Sequence, residues 1–352
     1  WMGILNIGQQ GGVVGTLSRG VAPFFRRIFP EIPNNHPVYG TMFMNFAANM
    51  LGLDNAATPM GVKAMAELQE LNQDKTKASN AMIMFVVLGV SGLTIIPTTI
   101  MAYRAQMGAA NPADVFLPLL IATYFSTLGG LLACCAVQKI KIWDKVVLSV
   151  LGVLTTLMIL LLVLAQRLPE ETLSSVSALI ASTALLATIC WFIIQATRKK
   201  VNVYEAFIEG AKDGFKIAIG IVPYLIAILV AVGMFRASGA MGLLESGLAH
   251  IFAMVGINPE MSAAVPTAIM KPLSGSGARG LMIEAMATHG ADSLVGRLCC
   301  ILQGTTDTTF YVLAVYFGSI GIKNTRHAVA CCLISDLIGA IAAFIVAGIF
   351  FG

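Results

Sequence analysis

Polar residues are scarce along this chain, and they interrupt long apolar runs at only a few places. Runs of roughly 20 apolar residues, the length a membrane helix needs, cover Ala81–Tyr103, Ala113–Val137, Val146–Leu164, Thr172–Ala196, Ile217–Phe235, Leu294–Phe317 and His327–Phe350. Each predicts a spanning helix. Trp1–Leu17 reads as the tail of another, which predicts further chain upstream of Trp1. Ser18–Phe29, Val203–Phe215 and Met241–Met254 are shorter and amphipathic, the pattern of helices lying in the interface.

Two further segments are apolar but broken. Tyr39–Leu68 is interrupted at NMLGLDNAATP, and Met261–Thr288 at KPLSGSGARG. Irregular backbone facing lipid would leave amides and carbonyls without partners. Each break therefore has to lie inside protein or face water, and a re-entrant hairpin is the economical reading.

These elements recur in order. Gly11–Phe25 aligns with Ser238–Phe252, LGLDNAAT with PLSGSGAR, Pro59–Met65 with Gly280–Met286, and Leu88–Thr94 with Leu302–Thr308. The expected fold is an all-α polytopic membrane protein built from two repeats of one module with re-entrant broken-helix hairpins. The first repeat takes residues 1–142 and the second 201–352, with connecting helices over 143–200. Lys and Arg collect in cytoplasmic loops. Counting them puts Lys75, Lys77, Lys139, Lys141, Lys145, Arg198–Lys200 and Lys323 on one side, and leaves little beyond Arg104, Arg167, Arg236 and Arg297 on the other. On that count the repeats are inverted, a secondary-transporter design.

Composition narrows the class. The 352 residues are 57% hydrophobic and only 11% charged, where a soluble domain carries about 25% charged residues. The net charge of +4 and the lack of a basic run with aromatics exclude a nucleic-acid partner. Three adjacent cysteine pairs lie in apolar runs without metal-ligand spacing, so no metal site is expected. Gly129–Gly130 reads as a helix-packing contact. Gly275, Gly277 and Gly280 spell G-x-G-x-x-G, but no strand precedes them and a membrane helix follows, so they read as the sharp break of a hairpin and not as a dinucleotide turn. H-E-x-x-H, G-x-S-x-G and phosphate-loop patterns are absent and no nucleophile–base pair is formed, so neither an enzyme nor a cofactor is expected.

Charges near the bilayer centre are expensive and rarely idle, and here they gather at the breaks. The candidate solute-binding residues are Asn49, Asp54, Asn55 and Thr58 in the first hairpin, and Lys271, Ser274, Ser276 and Arg279 in the second. Ser91 and Thr94 join them from one broken spanning helix, and Gln303, Thr305, Thr306 and Asp307 from the other. Asn45, Pro97, Thr98, Thr309 and Asp336 lie in the same segments. Asp54 and Asp307 suit a coupling ion, Na+ or H+; Lys271 and Arg279 suit an anionic group. The plainer reading stands beside this one: either cation pairs with Asp54 or Asp307, and the hydroxyls patch freed backbone.

Asn45–Met65 with Ile95–Asp114 resembles the spore maturation protein A family. Val222–Leu244, KPLSGSGARG and Gly304–Ala328 resemble the spore maturation protein B family. Both belong to the nucleoside-recognition or gate domain family, whose layout is similar to concentrative nucleoside transporters. The resemblance implies a multi-pass protein of the cytoplasmic (inner) membrane that moves a small polar solute, nucleoside-like or carboxylate, by alternating access. Its partners would be the bilayer, the solute and, in a homo-oligomer, further copies of itself. The rival implication is a non-transporting membrane protein of spore maturation or envelope assembly. A ferrous-iron transporter is disfavoured by the absence of a GTPase domain.

Overall fold

The computed structural model describes residues 2–13, 23–33, 36–50, 54–95, 97–140, 144–256 and 258–352; the side chains of Asp54 and Asn55 are outside that set. The described chain is helical, with one isolated bridge between Lys77 and Asn324. In order the helices are α1 (Met2–Gln10), α2 (Val38–Met50), α3 (Asp54–Leu71), α4 (Asn80–Val90), α5 (Thr98–Gln106), α6 (Phe116–Gln138), α7 (Lys145–Ala165) and α8 (Glu170–Arg198). They continue as α9 (Val203–Ala237), α10 (Ala240–Val255), a 3-10 turn (Pro259–Ala264), α11 (Val265–Leu273), α12 (Gly275–His289), α13 (Leu294–Thr305), α14 (Thr309–Ser319) and α15 (Ala328–Phe351). Five described stretches are long and apolar enough to cross a membrane: α6, α7, most of α8, α13 with α14, and α15. The protein is an all-α polytopic membrane protein.

Sequence explains where these helices start and stop. Ser79, Asp144 and Ser293 cap α4, α7 and α13 by accepting a hydrogen bond from an amide in the first turn. At 1.5 Å per residue, the 21 residues of α7 reach about 31 Å, the thickness of the hydrocarbon core. Its Leu148, Val153, Ile159 and Leu160 are exposed, as lipid-facing residues should be.

The pair α6 and α15 runs antiparallel at the centre. Gln138 meets His327 at one end, and Phe116 shares an apolar cluster with Phe350 at the other. Small residues allow the close approach. Ser126 and Ser335 exchange hydrogen bonds, and a Cβ on Gly129 would lie 2.5 Å from Ile338.

Both broken spanning helices appear as broken. α4 stops at Val90, and α5 resumes at Thr98; α13 stops at Thr305, and α14 resumes at Thr309. The two run antiparallel, with Phe85 stacked on Tyr316 at 5.8 Å and the Asp307 amide donating to the Val90 carbonyl at 2.7 Å. The breaks therefore meet.

Two expectations change. Val203–Phe215 is not a separate interfacial helix: it forms the first turns of the 35-residue α9, where Asn6 of α1 bonds the Ala206 carbonyl and Glu209. Packing against α1 carries the helix through the charged stretch. Nor do the glycines make the break in KPLSGSGARG. Ser274 alone is extended (φ −152°, ψ 112°), ending α11 and capping α12 at once. Gly275 is small for another reason: a Cβ there would collide with the Thr308 hydroxyl. Of the expected break in NMLGLDNAATP, residues 51–53 and the side chains of 54–56 lie outside the described residues.

Candidate functional site

The site begins with backbone that has left the helix. In the first break Gly92 takes φ +52°, a left-handed conformation that favours glycine. Its carbonyl accepts from the hydroxyls of Thr94 (3.0 Å) and Thr123 (2.8 Å), and the Ile95 amide donates to Met50 at the end of α2. In the second break Thr308 donates its amide to the Asp307 carboxylate at 2.6 Å. Side chains and neighbouring backbone thus satisfy the freed groups, which makes the breaks tolerable inside a membrane.

Where these breaks and the Ser274 turn converge lies a cavity of about 100 Å³. That is below the roughly 300–1,000 Å³ of drug-sized ligand sites, so this conformation holds only water or a solute of a few heavy atoms. Three helices begin on its wall: Thr98 and Thr99 open α5, Gly275 opens α12, and Thr308 precedes α14. The first turns of α5 and α14 have no side-chain cap. The positive dipole ends of these two helices suit an anion or a carbonyl oxygen.

Of the candidates, Asn49, Thr94, Lys271, Arg279, Gln303, Thr306 and Asp307 line this cavity together. Asn49 comes from α2, Lys271 from α11 and Arg279 from α12. Lys271 is only 8% exposed. Arg279 lies over the Tyr103 ring, 5.8 Å from its centre, which holds the guanidinium beside the first broken helix. Gln303 donates to the Gly275 carbonyl at 3.3 Å, and its buried Oε1 has no hydrogen-bond partner among the described residues. The Thr98 hydroxyl is likewise buried and unpartnered. Unpaired buried acceptors and hydroxyls cost about 1–3 kcal/mol each, and a bound solute would remove that cost.

Other candidates lie elsewhere. Ser91 is fully buried and donates to the Leu88 carbonyl. Thr305 bonds back to Ile301 at 2.6 Å. Ser274 spends its hydroxyl on the Gly277 amide, and Ser276 lies 3.3 Å from Ser274. Thr58 is half-buried in α3, off the cavity wall. The side chains of Asp54 and Asn55 lie outside the described residues.

Sequence reasoning missed three features. Thr99 and Thr308 line the cavity, although sequence reading singled out neither within Ile95–Asp114 and Gly304–Ala328. Asn45 donates to the Tyr316 hydroxyl (2.9 Å) and the Ala57 carbonyl (2.7 Å), tying α2 to α14 and α3. At the far end, Arg104 is fully buried and pairs with Asp114 (2.8 Å) and Asp292 (3.0 Å), while Arg297 pairs with Asp114 at 2.9 Å. Both arginines stood out in sequence only as loop charges. Two acids next to the ends of apolar runs were the available signal.

Residues 1–110 and 218–323 match the family model described as Gate: Nucleoside recognition. The chain is 44% identical over 164 residues to spore maturation protein B of Bacillus subtilis (strain 168), covering 47% of this chain and 90% of that protein. It is 39% identical over 132 residues to spore maturation protein A of the same organism, covering 38% of this chain and 67% of that protein. No solved structure gives a significant match.

Proposed function

The chain belongs to the nucleoside-recognition Gate family, and from that premise we propose that it is an inner-membrane transporter of a small polar solute, working by alternating access. The observation that carries the reading is the cavity where both helix breaks and the Ser274 turn meet, lined by Lys271, Arg279, Gln303 and Asp307. Uncapped helix starts and two cations favour a solute with a carboxylate or several carbonyl oxygens. The matching of the family model in each half supports two inverted gate repeats, 1–142 and 201–352, joined by 143–200. So does the antiparallel meeting of α4–α5 with α13–α14. In this reading the protein is not an enzyme, needs no cofactor, and couples to Na+ or H+. Its re-entrant hairpins carry the binding residues.

The test is flux. Purified protein in liposomes should take up at least one member of a labelled panel of nucleosides and small carboxylates above empty liposomes, and Asp307→Ala should abolish it. No uptake across the panel, with the cellular phenotype intact in Asp307→Ala, would sink the reading. A second reading follows from the relatives, both named for spore maturation and not for a solute. In it the protein acts in spore or envelope assembly without transport.

A further inference from the structure

Asp336 stands near the second break, in the middle of an apolar helix, and the roles assigned so far leave it unused. It is only 8% exposed. One carboxylate oxygen accepts from the Thr309 hydroxyl at 2.6 Å; the other is buried with no hydrogen-bond partner among the described residues. A carboxylate with one oxygen unsatisfied in a low-dielectric interior is costly as an anion, and taking up a proton removes both the charge and the missing bond. Beside it is a second, separate cavity of about 10 Å³, with room for about one water. Thr305, Thr306 and Lys271 line it with Asp336.

Lys271 and Thr306 are shared: both also line the main cavity. The charged groups facing Asp336 are Lys271 from α11 and Asp307 from the second break; Cys332, a turn earlier on α15, is a further titratable neighbour. A metal cation fits this spot poorly, because the ammonium repels it and the space cannot hold an oxygen shell. A proton needs neither.

We propose that Asp336 is a proton-binding site, linked through Lys271 to the main cavity. With Asp336 ionised, the Lys271 ammonium is drawn toward its carboxylate. With Asp336 protonated, that attraction is gone and the ammonium interacts more strongly with an anionic group in the main cavity, whose wall it shares. Linkage is reciprocal, so an anion on Lys271 and a proton on Asp336 each favour the other, and the solute class narrows to small anions taken up with a proton. This rests on the transport reading for its purpose, but the site itself does not need flux to be seen.

The experiment is infrared difference spectroscopy of the full chain in lipid nanodiscs, scanned from alkaline to acid pH. A protonated-carboxyl band should grow in on acidification, vanish in Asp336→Asn and move to the glutamic-acid position in Asp336→Glu. The glutamate variant keeps the readout available if the asparagine variant folds poorly. In Lys271→Met the band should persist roughly 1–3 pH units higher, the size expected for loss of one nearby opposite charge. A band unchanged in both Asp336 variants overturns the proton site, and one indifferent to Lys271→Met overturns the link. A titrating Asp336 in a protein that moves no solute supports the site and defeats transport alone.

Discussion

Tyr316 shows how closely single positions are fitted. Its ring stacks on Phe85, its hydroxyl accepts from Asn45, and its ring edge lies flush on Gly61 of α3. A methyl group on Gly61 has no free space, and an aromatic held on two sides cannot turn away. Gly61→Ala should therefore destabilise the protein by about 1–3 kcal/mol, the usual cost of overpacking, read as a lower unfolding temperature in detergent. An unchanged temperature would mean that α3 can slide off α14. None of this was legible in sequence, where Gly61 is one small residue in PMGVKAM and Tyr316 one aromatic in an apolar run. The polar residues at the breaks were legible, because a charge in a run of apolar residues has no other reading than a buried or a working one. Which of them share a wall was not. Ser91 and Thr305 differ from Thr94 and Thr306 only in where their backbone points them.

At the scale of elements, Arg104 binds the end of α5 to the loops before α6 and α13. Its guanidinium also donates to the carbonyls of Ala291 (2.6 Å) and Asn111 (3.3 Å). Buried pairs are costly to break and cheap to replace whole. Arg104→Met alone should cost up to about 3–5 kcal/mol, because fully buried Asp114 is left with Arg297 alone and the Ala291 and Asn111 carbonyls lose their donor, while Arg104→Met with Asp114→Leu should recover part of that loss; thermal unfolding of both variants checks it. Equal loss in the two would show that the carbonyl bonds, not the ion pair, hold this end. Helix breaks were readable because Gly, Pro and hydroxyl residues cluster there against an apolar background. The continuity of α9 was not, because the contacts that hold its first turns at Ala206 and Glu209 come from α1, some 200 positions away.

Across the whole molecule the helix ends sort into two faces. On one, Ala78 bonds the Asn324 carbonyl, Arg326 bonds Ala78, and Gln138 bonds Asn80, with Lys75, Lys77, Lys139 and Lys323 around them. There the hydroxyl and amide of Thr76 hold the Asp74 carboxyl down at about 2. On the other face lie Arg104, Asp114, Asp292 and Arg297, the last 4.5 Å from the ring of Phe351 at the end of α15. The lysine-rich face should be cytoplasmic. A cysteine at Lys139 should then resist a membrane-impermeant maleimide in intact cells, and one at Ala109 should react; the reverse pattern would invert the orientation. The touching of the two breaks has a further consequence. Their joint is an amide of residue 307 on a carbonyl of residue 90, so no side chain writes it. Almost any substitution at either position leaves it in place, and only proline at 307 deletes the donor. Lineages can therefore rewrite the cavity wall residue by residue, while the joint behind it is inherited as shape.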